Sequence, residues 1–202
     1  MTTENRPELA NPAASYAEAL DSTRAFVAGL GNVDWGAPTP CSVWNVRDLL
    51  QHIIYGTIWI EDVFAGKTVK QVGDKYEGEL IGTDALASYE AAANAAKAGI
   101  AAPGAIDKIC HLRRGDVKGS DYMTSMFTDA FVHGWDLVKA TGQDATLDPE
   151  LVEICYAVAK AREERFRSSS AFGLGRVEDP GEVAEPQARM LAILGREADW
   201  HA

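Results

Sequence analysis

Apolar residues along this chain recur at intervals of three and four, the period of α-helices with one face turned inward. Tyr16, Leu20, Thr23, Val27 and Leu30 trace a first helix that stops at Gly29–Gly31. The stretch Val33–Trp44 is rich in Pro and Gly and holds two tryptophans; it predicts a loop folded back over the mouth of a pocket. A second helix opens at the N-cap Asn45, with Asp48 completing a capping-box-like start that suits the helix dipole. From Leu49 to Ile60 that helix has no formal charge when His52 is neutral, and apolar residues surround its axis, as in a central helix. Residues 65–82 read as a polar connection. An Ala-rich third helix follows from about Thr83 to Ile100, and Lys108–Lys118 reads as a small hairpin turning at Arg114–Gly115. The fourth long helix centres on Met123–Leu137 and ends near Thr141–Gly142. Asp148–Pro149 supplies an N-cap and a first-turn proline for a fifth helix reaching about Phe166. Residues 168–182 read as loop, and Pro186–Leu194 as a short terminal helix stopped by Gly195. Residues 1–12, with Pro7 and Pro12, read as a flexible lead-in, which leaves 13–202 as one helical-bundle domain. The expected fold is all-α: a four-helix bundle with additional C-terminal helices and a small β-hairpin.

Candidate chemistry lies on the Met123–Leu137 helix. At about 100° per residue, Met123, Met126, Ala130 and Leu137 form one core stripe, and Asp129 and His133 fall on its edge one turn apart. Asp136 continues the line. Between Asp121 and Val138 there is no Lys or Arg. A carboxylate facing the core must therefore find a cation elsewhere, take up a proton or bind a metal. His52 is the main polar intrusion in the central helix, and Gly56 one turn on either leaves space beside its imidazole or permits close helix packing. Two imidazoles and a carboxylate suit zinc, nickel, iron(II) or manganese(II), and three ligands leave positions open as in catalytic sites. The plainer alternative is an Asp129–His133 hydrogen bond and a satisfied core His52, with Arg24 or Arg47 as the cation for Asp129.

Composition narrows the partners. The 202 residues carry a net charge of −11 with no basic cluster, which argues against nucleic acid. No apolar run long enough for a membrane span occurs, and the N-terminus lacks a signal pattern, so a cytoplasmic protein acting on a small-molecule substrate is expected. The exposed faces of a bundle also allow a homodimer. Cys41, Cys110 and Cys155 are widely spaced and form neither a disulfide framework nor a zinc-knuckle pattern.

Thr39-Pro-Cys41 followed by Trp44 through His52, together with Asp129-x-x-x-His133-Gly-Trp135-Asp136-Leu137, resembles the two motifs of the DinB-like, mycothiol-dependent maleylpyruvate isomerase superfamily. The ending Leu191-x-x-Leu194-Gly195-Arg196…Trp200 is similar to that of an actinobacterial branch of it. The resemblance implies a four-helix bundle with a divalent metal, zinc foremost with nickel, iron or manganese as alternatives, at His52, Asp129 and His133. It also implies a low-molecular-weight thiol such as mycothiol as cosubstrate, used for S-transfer or isomerisation. The chain departs from the isomerase in having Asp129 where that protein has Glu, and in ending without its C-terminal domain, which points away from maleylpyruvate as substrate.

On this reading Asp136 orients a ligand imidazole or, alternatively, forms a salt bridge to Arg47 or lies exposed. Trp44 and Trp135 are candidate pocket walls, or plain core. Cys41 is a packed thiol or a reactive one, and His111 is a weak acid–base candidate. Rival functions for the same site are a metal-dependent hydrolase, a non-haem iron enzyme and a non-catalytic metal-binding stress-response protein.

Overall fold

The computed structural model describes residues 9–164, 177–178 and 180–201. Several of its helices begin where short polar side chains take up the free amides of a first turn. Asn11 caps α1 (Pro12–Ala28), with Pro12 in the first turn. This places the helix start ahead of Tyr16, inside the segment expected to be a lead-in; residues 1–8 lie outside the described residues. Asn45 caps α2 (Val46–Phe64) by accepting from the Asp48 amide, and Asp48 places an acid in the helix's first turn.

The polar connection after α2 holds a one-turn helix, α3 (Val69–Val72), closed by a reciprocal Thr68–Gln71 capping box. Asp84 caps α4 (Ala85–Ala101), which ends before Pro103. After a 3-10 turn at Ala105–Asp107, strands β1 (Ile109–Leu112) and β2 (Gly115–Lys118) pair antiparallel, with Cys110 opposite Val117 and His111 opposite Asp116. The long helix α5 (Gly119–Ala140) follows directly. Asp148 and Pro149 start α6 (Pro149–Ala161), which ends short of the expected Phe166, a residue outside the described ones. Most of the loop read over 168–182 lies outside them too. The last helix, α7, spans Pro186–Ile193.

Four helices close a ring: α1 lies along α5, α5 meets α2, α2 lies along α4, and α4 returns to α1. The α1–α5 pair is knit closely. A Cβ added at Gly134 would stand 2.7 Å from Thr23 Oγ1, so only glycine lets the axes approach this far. The α2–α5 contact is the least extensive of the four. There, a Cβ at Gly56 would meet the Met126 methyl at 3.4 Å, an ordinary contact, so Gly56 faces α5 without being needed for the helices to pack. Outside the ring, α6 and α7 pack on each other, and α6 also touches α5. The sequence stripe on α5 was consequently too narrow. From Ala130 to Val138 every residue is buried, because the face turned away from the bundle is covered as well.

A buried acid fastens the connection after α2. Asp62 accepts from Lys67 Nζ at 2.6 Å, Lys75 Nζ at 2.9 Å and Tyr76 Oη at 2.8 Å. Burial opposes its ionised form, but these three donors outweigh burial and bring its pKa to about 2. A folded-state pKa below the unfolded value gives stability that is present above about pH 4 and is lost as pH falls toward the folded value. Asp62→Asn is expected to lower the unfolding free energy by roughly 1–3 kcal/mol near neutral pH. Urea titrations at a series of pH values should show the gap to the unsubstituted chain narrowing below about pH 4.

Candidate metal centre

Two helices and one loop supply the site. The loop before α2 is tied to that helix's first turn: Val46 N donates to Ala37 O at 3.0 Å, and Arg47 N to Trp35 O at 3.1 Å. Thr39 Oγ1 donates to the carbonyls of Cys41 and Trp44 at 3.0 and 2.9 Å. These bonds hold Trp44 over the next turn of α2, where its ring stacks on His52 with centroids 4.2 Å apart and planes at 29°. The same indole lies 5.3 Å from the His133 ring. The aromatic loop thus folds back so that Trp44 lies against both imidazoles, whereas Trp135 is buried in the core, with Lys139 Nζ over its ring.

His52, Asp129 and His133 converge across the α2–α5 seam, one ligand atom of each lying within 4.8 Å of the others. His52 Nε2 stands 3.4 Å from Asp129 Oδ2, and His133 Nε2 stands 3.7 Å from Asp129 Oδ1. Neither of Asp129's anticipated cations reaches it. Arg24 pairs with Glu90, and Arg47 with Glu79. Burial opposes ionisation of Asp129, but attraction to His133, the close approach of His52 and the more distant Arg196 outweigh it and hold the carboxyl below the ordinary range. The seam is open on one side, with the side chains of His52 and Asp129 31% and 24% exposed and that of His133 fully enclosed.

Behind His133 lies a second, dry layer. Its Nδ1 is 2.9 Å from Asp136 Oδ2. Arg196 grips the same carboxylate with two nitrogens, Nε to Oδ1 at 3.0 Å and Nη2 to Oδ2 at 2.6 Å. Asp136 and Arg196 are both buried. Asp136 is thus neither exposed nor paired with Arg47. It buttresses the imidazole, and its cation comes from the segment after α7. Burial opposes its charge, but Arg196 and the His133 hydrogen bond prevail and keep it ionised. An ionised carboxylate can only accept, so His133 Nδ1 carries the proton of this contact, and Nε2 is the ring atom that faces Asp129.

The donor set fits a divalent ion. Nitrogen and oxygen ligands at about 2.0–2.2 Å in tetrahedral array stand roughly 3.3–3.6 Å apart, close to the observed spacings. His52 Nε2 is buried and makes no hydrogen bond among the described residues, a cost that an ion would remove. A second trio, Cys41, His133 and Asp136, also lies within 4.8 Å. It fits an ion poorly, because all three are buried and both Asp136 oxygens are engaged by Arg196. Burial and the nearby Asp136 push the Cys41 thiol up despite Arg196, so it stays protonated at neutral pH. His111 lies apart on the hairpin, its Nδ1 2.7 Å from Asp116 Oδ1.

Sequence reasoning did not assign Arg196 to the site. The signal was there: a buried acid on a helix without cations requires one from elsewhere, and Arg196 directly follows a helix-ending glycine.

A helical bundle with an imidazole–carboxylate–imidazole set on facing helices belongs to the class that builds metal centres between helices. The chain is a member of the mycothiol maleylpyruvate isomerase N-terminal domain family, a DinB-like family that matches residues 16–138. The family is mycothiol-related and metal-binding. Two relatives from Mycobacterium tuberculosis, uncharacterized proteins MT0763 of strain CDC 1551 and Rv0738 of strain H37Rv, are each 33% identical over 192 residues, covering 92% of this chain and 98% of the relative. No solved structure matches the chain. Among the described residues no helix is long and apolar enough to cross a membrane.

Removing the Asp136 carboxylate would leave Arg196 as an uncompensated buried charge. Asp136→Ala is expected to cost about 3–5 kcal/mol of unfolding free energy, read from urea denaturation.

Proposed function

We propose that this protein is a divalent-metal-dependent enzyme that uses a low-molecular-weight, mycothiol-like thiol for S-transfer to, or isomerisation of, a small electrophile. The observation that carries the reading is the convergence of His52, Asp129 and His133 at ligand spacing, with His52 Nε2 buried and without a hydrogen bond among the described residues. The name of the matched family supports the thiol and the isomerase-like chemistry.

His52, Asp129 and His133 would hold the ion, zinc foremost. A divalent cation there supplies the charge that keeps an alkyl thiol ionised at neutral pH, where a free thiol of pKa about 8.5 is mostly protonated. The protein's own groups do the rest. Asp136 fixes the proton of His133 on Nδ1. Asp129 would offset one of the two charges of a divalent ion, leaving net positive charge for an anionic sulfur. Trp44 stacks on His52 and shields one side of the site, while the exposed flank of His52 and Asp129 admits small molecules. Cys41 is sealed behind His133 and protonated, so the nucleophilic sulfur comes from a cosubstrate.

Elemental analysis of protein purified without chelators or a metal-binding tag should find one divalent ion per chain. His52→Ala should lose it, and metal retained by that variant would remove His52 from the ligand set. Electrophiles should be consumed only when a thiol is added. Turnover without thiol would favour hydrolysis, oxygen dependence would favour an iron enzyme, and metal-dependent melting with no consumption of any electrophile would favour a non-catalytic protein.

A further inference from the structure

The matched family region ends at residue 138, yet the strongest polar contact behind the site comes from beyond it. The turn after α7 is built to deliver that contact. Gly195 has a φ of 77°, in the left-handed region that favours glycine. Its amide bonds to Ala192 O at 3.1 Å, and the Arg196 amide to Leu191 O at 2.8 Å. These are the paired bonds of a Schellman helix end, which reverses the chain sharply. The reversal turns Arg196 inward: Nη1 donates to Leu194 O at 2.9 Å, while Nε and Nη2 take Asp136. The guanidinium is spent entirely inside the protein, 1% exposed.

We propose that Arg196 is the positioning residue of the metal centre, acting through Asp136 to fix the orientation and tautomer of His133, so that the C-terminal turn sets the affinity for the ion. The inference rests on the metal-centre reading given under Proposed function. The planar fork of arginine grips both carboxylate oxygens and so fixes the carboxylate plane. That plane presents Oδ2 to His133 Nδ1 at 2.9 Å and aims Nε2 at Asp129. A lysine would hold the charge as a single point without fixing the plane. Groups that orient ligating histidines change metal affinity by about 10–100-fold when removed.

The test uses the full chain, stripped of metal by dialysis against chelator and titrated with Co(II), with binding followed by visible absorption. Metal-free stability is measured in parallel by thermal melting. Arg196→Met should weaken Co(II) binding by about 10–100-fold and alter the visible spectrum, while Arg196→Lys should recover part of the affinity. Gly195→Ala, which touches neither network partner, should weaken binding in the same direction. If Arg196→Met does not fold, the pair Asp136→Asn with Arg196→Met removes both buried charges together and carries the same expectation. Variants that melt earlier but bind Co(II) with the affinity and spectrum of the unsubstituted chain would overturn the proposal, leaving the metal reading intact. An unsubstituted chain that takes up no Co(II) would overturn the metal reading and the proposal together.

Discussion

A carboxylate sealed inside a helix that carries no nearby cation is the constraint on which this structure turns. Asp136 sits in the longest described helix with no Lys or Arg between Asp121 and Val138, and the fold closes over it completely. Such a charge is tolerable only when it is paired and its lone pairs are occupied. Arg196 and His133 together meet that demand. A buried ion pair adds little net stability over a well-packed apolar substitute. What the pair does provide is direction, because the bidentate contact admits one orientation of the carboxylate and hence one face of the imidazole.

The bundle distributes its packing to suit. Where α1 meets α5, a glycine lets the axes come together until no methyl group would fit. Where α2 meets α5, contact is sparsest, and the three candidate ligands occupy that seam with Trp44 beside them. One edge of α5 is thus a mechanical anchor and another a functional surface. The proteins of M. tuberculosis that share a third of these residues match over 92% of this chain and 98% of their own length.

Much of this architecture was legible in the sequence because it depends on local chemistry. Asn45 and Asp148–Pro149 mark helix starts by side-chain capping and proline geometry, and the hairpin lies within the expected Lys108–Lys118 stretch. The candidate ligand set was legible in part: i, i+4 spacing places Asp129 and His133 on one face, and His52 stood out as the polar intrusion in the central helix, but spacing left a plain hydrogen-bonded pair and a satisfied core histidine equally open until the family resemblance was added. What the pattern missed is one very short element and the non-local contacts. The single turn at Val69–Val72 is too short for periodicity to reveal, though its capping box is there to be read. Trp44 and Trp135 are equivalent as residue types; tertiary packing alone stacks one on a histidine and sinks the other into the core. Arg196 lies sixty residues from its carboxylate, beyond the reach of any spacing rule, so the search for a cation fell on Arg24 and Arg47, both of which hold glutamates at the surface.

The two histidines are supported very unequally. His133 is clamped from behind through Asp136 to Arg196, whereas His52 rests against an indole face and is partly open to water. A centre assembled from one stiff arm and one compliant arm has built-in asymmetry. For the ion proposed to bind here, the stiff arm would fix its position, and the compliant arm would give way as incoming groups approach. The stacking plane of Trp44 limits how far that yielding goes.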